Sequence, residues 1–507
     1  MNEFISVSVQ TLPAPNNLPN INNIALLVNE VWTSTEPYLA ITTLDDVKTN
    51  FASSTKTYKM VEAMLNQTPN FRITNGVLYL IPFNGVDAVN GSFTTINLVD
   101  NITAIKAVNN GSITISINGT AYNLTALDFT KISTTPLQAL KDIANIVIKK
   151  LGALSPLNLS KITYELVITS DTDIAIKFLS TSFGLGKNIT FSTLAGGTDL
   201  TLGTLLATDD GSAVSGANSS GTNIVDALNA FEATLTDLNR IYFNGFITTQ
   251  KLEATYDNGI LKTIADYTTS KKRMFVYGVS SSDDYIQANK IITGLHSLFR
   301  LLLIDIQQDN TFKSALLARG YSNNLQPGQA FTMNKKRLVG LQPSYIYTKA
   351  LLELYKATAD WITYNNGFIE YVSNNANGYI DEKLEIQIID NRLLTTQDAL
   401  NTNTKIPQTP SGVNVIKKAI IDILTPLRLN GIIATDLNWQ GQIPQEIILL
   451  NIQDIFANEI RANGFFILPE DIQLQGQSRS ERTINVAIYI QKAGAIHKIN
   501  INVLVSN

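Results

Sequence analysis

The chain has 507 residues, 44% of them hydrophobic and 16% charged, with a net charge of −4 and no cysteine. This length calls for more than one core, and the apolar content excludes a disordered chain. The absence of cysteine excludes disulfides and thiolate chemistry, and the lack of a basic stripe argues against a nucleic-acid-binding surface. Asn, Thr and Ser fill much of the polar surface, as in Asn218-Ser219-Ser220-Gly221. Such a weakly charged surface either reflects a composition bias or tolerates dense packing against identical neighbours. The short clusters Lys271-Lys272-Arg273 and Lys335-Lys336-Arg337 read as solvated loop edges. Met1-Asn2-Glu3-Phe4 shows no secretory leader, and no apolar run reaches the roughly 18 residues of a membrane span.

At the start, Ile5, Val7 and Val9 alternate with Ser6, Ser8 and Gln10, which predicts a strand with one buried face. Pro13, Pro15 and Pro19 then forbid a helix or a central strand and make the next stretch an extended spacer. Eight to ten such residues reach roughly 30 Å, so the strand need not fold back on its own body. Ile24 to Val28 reads as a buried strand, Thr42 and Thr43 as caps for a helix opening at Asp45-Asp46, and Tyr58, Val61, Met64 and Leu65 as one helix face. With Val77 to Ile81 as the next strand, the order is that of a βαβ unit.

From about Asn90 to Gly221 charges and prolines thin out, and short β-rich runs alternate with Gly and Asn turns. Examples are Ser112 to Ile117 before the hairpin dipeptide Asn118-Gly119, and Ile162 to Thr169. One helix, Leu137 to Lys150, interrupts them. This texture predicts an inserted α+β domain bounded by flexible junctions. Beyond it, Ile224 to Leu238 reads as helix and Arg273 to Tyr277 and Arg300 to Ile306 as strands. Tyr347, Leu351, Leu354 and Tyr355 line a helix running toward Trp361. Val413, Ile416, Ile420 and Ile423 mark a further helix, which Pro426 kinks or ends, with Asn430-Gly431 as a left-handed cap if it continues. The chain closes as it opens: Ile499, Ile501, Val503 and Val505 form an alternating strand. The two end strands either complete a neighbour's sheet or close the chain's own.

No residue pattern points to catalysis. The two histidines, His296 and His497, lack ligand spacing. Gly184-Leu185-Gly186-Lys187 lacks the endings of a dinucleotide fingerprint or a P-loop and reads as a turn before a strand. Asp171, Asp173, Asp209 and Asp210 sit in polar turns, where acids bond their own backbone. No cofactor, metal or enzymatic activity is expected. Glu481 and Arg482 form either an interface ion pair or a solvated loop.

Specific stretches resemble a known family. Tyr38-Leu39-Ala40-Ile41 leading into Leu44-Asp45-Asp46-Val47, then Phe51, Tyr58 to Gln67 and Leu78-Tyr79-Leu80, resembles the opening domain of phage contractile-tail sheath proteins. Asn366-Gly367-Phe368, Gly378-Tyr379-Ile380-Asp381 and Lys405-Ile406-Pro407-Gln408-Thr409-Pro410-Ser411-Gly412 are similar to the C-terminal half of one myovirus sheath-like group. Lys492-Ala493-Gly494-Ala495-Ile496-His497, followed by its strand, resembles that group's last segment. The resemblance spans nearly the whole chain in element order. It departs at Asn485, where that group tends to carry a second arginine after the one matched by Arg482.

The resemblance implies an α/β multidomain fold: an α/β core with an inserted β-rich α+β domain and extended N- and C-terminal β-strand arms. The expected divisions are an arm and Pro-rich linker (1–20), the first part of the core (21–89), an outward-facing insertion (90–221), the rest of the core (222–395), a tube-facing sheath domain (396–490) and a C-terminal arm strand (491–507). The implied function is that of a structural subunit polymerising helically around a tail tube and contracting to drive it through a cell envelope. Ile5, Val7, Val9, Ile499, Ile501, Val503 and Val505 would then pair between subunits. The implied partners are further copies of the chain, the tail tube protein, and baseplate and tail terminator proteins, with no nucleic acid and no membrane insertion. The implied setting is a virion tail assembled in the host bacterial cytoplasm. Other readings are a different tail or baseplate component or a surface adhesin, the latter requiring a secretion signal.

Overall fold

The structure is a computed structural model that describes residues 5–8, 20–200, 212–234, 241–254, 259–279, 281–292, 298–303, 309–322, 332–341, 353, 359–365, 368–372, 379–403, 406–407, 409–469 and 484–493. Strand β1 (Ile5–Ser8) stands apart in sequence from β2 (Ile24–Val28). In β2, Ile24, Leu26 and Val28 enter one core while Ala25 and Leu27 enter another, the alternation of a strand covered on both faces. Next come β3 (Leu39–Ile41), α1 (Asp45–Lys48), α2 (Lys56–Leu65) and β4 (Leu78–Pro82), with β4 parallel to β2 and antiparallel to β3. The expected βαβ unit is present, and α2 buries Tyr58, Val61 and Met64. The cap expected at α1 is reversed. Leu44 is the N-cap, and Asp46 Oδ2 accepts from the N–H groups of Thr42 and Thr43 at 2.9 and 2.8 Å. An ionised carboxylate is a stronger acceptor than a hydroxyl, and those bonds hold Asp46 below the usual carboxylate range.

Chain order then runs through β5 (Gly85–Val86), β6 (Asn90–Thr94), α3 (Ile102–Lys106), β7 (Gly111–Ile117), β8 (Thr120–Leu127), α4 (Pro136–Leu154), β9 (Ile162–Ser170), β10 (Asp173–Phe183), β11 (Ile189–Ser192), β12 (Thr198–Asp199), β13 (Ser212–Val214) and β14 (Ser220–Gly221). One sheet has the order β13-β6-β10-β9; the other has β11-β7-β12, with β8 beside β7. Helix α4 lays Leu140, Ile143, Val147 and Leu151 into a core shared with both sheets. Asn118 and Gly119 turn β7 into β8 with φ of 52° and 83°, the left-handed pair a two-residue hairpin needs. Gly184 to Lys187 forms a turn before β11, as expected.

Near Gly221, where a junction is expected, the described edge of this region carries hydrogen bonds back to its neighbours. Gly216 N donates to the Lys187 carbonyl at 2.7 Å, Leu185 N donates to Asn218 Oδ1 at 2.7 Å, and Ser219 N donates to Glu253 Oε2 at 2.9 Å. Small residues permit this closeness: a Cβ on Gly216 would lie 2.4 Å from the Gly184 carbonyl oxygen.

The body resumes with α5 (Ile224–Thr234), β15 (Gly245–Thr248), α6 (Ile260–Lys271), β16 (Met274–Val279), α7 (Ser282–Ile292), β17 (Phe299–Leu303) and α8 (Asp309–Gly320). The main sheet has the order β17-β16-β15-β2-β4-β3, parallel except at β3. Helices α2 and α8 cover one face and α5, α6 and α7 the other. At α7, Ser281 Oγ accepts from Asp284 N at 3.1 Å, and Asp283 holds Lys161 of the β-rich region at 3.1 Å. A smaller sheet of β18 (Lys336–Arg337), β19 (Trp361–Asn365) and β20 (Phe368–Val372) has the order β18-β20-β19. It is pinned to the body by Arg300, whose guanidinium grips both carboxylate oxygens of buried Asp360 at 2.7 to 3.1 Å. The helix expected from Tyr347 to Tyr355 lies outside the described residues except for Glu353, and Trp361 opens a strand.

Candidate assembly interface

The C-terminal part is built from α9 (Ile380–Asn403), α10 (Pro410–Leu429), α11 (Gln445–Leu449), α12 (Gln453–Asn463), β21 (Phe465–Pro469) and β22 (Asn485–Ile490). Alternation along the strands decides which helices cover which face. Val486 and Ile488 of β22, with Phe465 of β21, pack against α9 and α10. Tyr489 and Ala487, with Phe466 and Leu468, pack against α11 and α12, where Phe456 meets Trp439, Phe466 and Tyr489 at ring-centroid distances of 5.4 to 5.6 Å. The result is a three-layer unit, helices on each side of a thin sheet.

That sheet has the order β1-β22-β21, so its third strand comes from the far end of the chain. Ile5, Ser6, Val7 and Ser8 are in antiparallel register with Ile488, Ala487, Val486 and Asn485. Of the residues expected to pair, Ile5 and Val7 therefore lie on the sheet of their own chain. Val9, Glu481, Arg482, Ile499, Ile501, Val503 and Val505 lie outside the described residues. Among the described residues β1 is at the edge of this sheet, with β22 as its strand neighbour.

Pro426 does not end α10. It falls in the last turn, and the helix runs on to Leu429. Gly431 then adopts φ of 76°, its N–H donates to the Arg428 carbonyl at 3.0 Å, and Ile432 N donates to the Leu427 carbonyl at 3.0 Å. This is the left-handed cap expected if the helix continued, and it sends Ile432 and Ile433 back into the core beside Leu427.

Helix α9 joins this unit to the body. It runs unbroken through 395–396, where a division was expected, because no Gly or Pro interrupts Ile380 to Asn403. Its first turns are locked to the body: Asp381 Oδ2 accepts from Thr332 Oγ1 at 2.7 Å, Gln387 Nε2 donates to the carbonyls of Asn244 and Lys272 at 3.0 and 2.6 Å, and Lys272 Nζ meets Asp390 Oδ2 at 2.6 Å. Ile388, Ile389 and Leu393 on the same helix enter the core beneath β22. Glu385, between Asp381 and Gln387 in sequence, is buried, and its Oε2 has no hydrogen-bond partner among the described residues. Burial first, and the neighbouring charge of Asp381 second, push its carboxyl up to about 8, with Lys492 opposing them.

One reading from sequence needs correcting here. In Lys271-Lys272-Arg273 the two lysines are exposed, as expected of a solvated edge, but Arg273 is not. Arg273 is buried, stacks 3.9 Å over the Phe243 ring and pairs with Glu232, while Lys272 holds α9. Burial alone would raise Glu232, but Arg273 and Lys271 draw it below the usual range. The signal available was the position of Arg273, one residue before the buried strand β16. Among the described residues no cluster of three or more His, Cys, Asp or Glu is placed to hold a metal, and no helix is long and apolar enough to cross a membrane.

An α/β protein of several sheets, ending in a helix–sheet–helix unit that takes up the N-terminal strand, is the class these elements define. Residues 380–505 match the family described as E217 tail sheath protein gp31-like, C-terminal domain. The match begins at the first residue of α9 and takes in the stretches Lys405 to Gly412 and Lys492 to His497, whose likeness to a sheath-like group is described above. Among solved structures, the chain is similar to the sheath tail protein Lin1278 from Listeria innocua, at 11% identity and a TM-score of 0.39, covering 83% of this chain and 87% of that one. It is also similar to a chain from the baseplate of the anti-feeding prophage, at 10% identity and a TM-score of 0.45, covering 98% of this chain and 97% of that one. No curated protein matches it in sequence.

Proposed function

We propose that this protein is a structural subunit of a contractile tail sheath, without catalytic activity, that polymerises helically around an inner tail tube and contracts to drive it through a cell envelope. The supporting observation is the sheet β1-β22-β21, in which a chain end separated by a proline-bearing stretch occupies the edge of the unit that matches a tail-sheath domain. A strand held only at an edge is exchangeable, because a neighbour's copy makes the same bonds with the same register. The in-chain pairing of β1 is then the unassembled arrangement, and assembly passes Ile5–Ser8 to the next subunit.

The magnitudes favour exchange only in a lattice. Each ladder bond adds about 1 kcal/mol net, and ordering each residue costs about 1–2 kcal/mol. One short strand is marginal, so many strands acting together through effective concentration are needed. Pro13, Pro15 and Pro19 lower the ordering cost by stiffening the linker. In this reading Ile499, Ile501, Val503 and Val505 form the second arm, residues 90–221 are an outward-facing insertion, and the C-terminal unit faces the tube. The partners are further copies of this chain, the tube protein, and baseplate and terminator proteins.

Deleting Met1 to Gln10 tests the proposal. The truncated chain is expected to fold as a monomer and to form no tubes under negative-stain electron microscopy. Normal tubes from the truncated chain would refute the role of β1.

A further inference from the structure

The C-terminal unit leaves apolar side chains on both outer surfaces. On one, α11 and α12 leave Leu449 76% and Ile455 57% exposed, beside exposed Ile448 and Leu450. On the other, α10 leaves Leu429 56% exposed, with Val415 and Ile421 also exposed on the side of the helix away from Ile416, Ile420 and Leu424. The sheet lies between them, since β22 sends Val486 and Ile488 toward α10 and Tyr489 toward α12. The two surfaces face away from each other and cannot meet within one chain.

Their charges are opposite. The α11–α12 surface carries exposed Glu446, Asp454 and Glu459, and its one cation, Arg461, donates to Asn438 at 2.8 Å. The α10 surface carries exposed Lys418 between Val415 and Ile421, with Lys417 adjoining, against the single acid Asp422.

We infer that these surfaces bind each other between copies of this chain, the α11–α12 face of one copy seated on the α10 face of the next. The contact is heterologous, so it repeats instead of closing into a dimer. It advances along the normal of the sheet, whereas exchange of β1 advances in the plane of the sheet, along its hydrogen bonds. Two contact directions that are not parallel generate a surface, and one alone generates a string. The inference rests on the reading of this chain as a self-assembling subunit and adds a second copy-to-copy contact that strand exchange does not supply.

The test uses the full chain with Leu449→Glu and, separately, Lys418→Glu, with Leu449→Ser as a milder alternative should the charged variant fold poorly. Circular dichroism is expected to match the wild type, since both positions are exposed. Each variant is expected to raise the concentration at which the chain polymerises at least tenfold and to give thin strings in place of tubes. Combining Lys418→Glu with Asp454→Lys and Glu459→Lys, which reverses both faces, is expected to restore tubes. Tubes at an unchanged concentration from the single variants, or no restoration in the reversed chain, would overturn the inference. A wild-type chain that stays monomeric at every concentration overturns the subunit reading itself, and that result is distinguishable because it needs no variant.

Discussion

Glu385 offers a sharp quantitative check on how α9 is held. Its carboxyl is pushed from an ordinary 4.5 up to about 8 by burial and by Asp381. The folded chain thus keeps a proton that the unfolded chain releases near pH 4.5, and stability falls as pH rises between those two values. At about 1.4 kcal/mol per unit, the loss across the window is on the order of 4–5 kcal/mol by pH 8. Glu385→Gln keeps the shape and removes the charge, so its stability is expected to stay nearly flat over the same range. The assay is urea unfolding of both chains at pH 5, 6.5 and 8, joined with amide exchange across Ile380 to Asn403. The variant is expected to match the wild type at pH 5 and to exceed it at pH 8, with slower exchange in α9. A wild-type pH slope that survives the substitution, or a Gln variant weaker than wild type at pH 8, would refute the reasoning.

Two further outcomes are expected. Asp360→Asn leaves the buried Arg300 guanidinium without its carboxylate and is expected to cost about 3–5 kcal/mol, read as a lower urea midpoint. Because the chain has no cysteine, Val7→Cys with Val486→Cys can be oxidised without background; register partners are expected to cross-link within one chain in the monomer and between chains in tubes, as ladders on a non-reducing gel. Intrachain links only, in tubes, would show that β1 is not exchanged.

Much of the body was legible because its signals are local. Ile24 to Val28 reads as a buried strand since all five residues are apolar, and Asn118-Gly119 names its own turn. The α1 start was misread because Thr42, Thr43 and Asp46 all carry side-chain acceptors, and sequence does not say which of them reaches across to the other's backbone N–H. Pro426 was ambiguous because proline is harmful only where its missing N–H and its ring meet a continuing helix, and the end signal at Gly431 lies beyond it. Arg273 was missed for a different reason: its ring partner, Phe243, and its carboxylate, Glu232, are about 30 to 40 positions earlier, and only the fold brings them together. The pairing of β1 with β22 is the extreme of that problem. Alternation shows that Ile5 and Val7 belong on a sheet, but nothing near them in sequence names Val486 and Ile488 as neighbours.

The continuity of α9 has a mechanical consequence. A helix of 24 residues is about 36 Å long and resists bending. Its first half is bolted to the body through Asp381, Gln387 and Asp390, and Ile388, Ile389, Leu393 and Leu400 along it pack in the core beneath β22. Tension applied at β22 therefore reaches the body as a push or twist along a rod, not as slack taken up in a tether. In the proposed sheath the two ends of α9 would then turn together, and large sliding under load would fall to the seams between subunits.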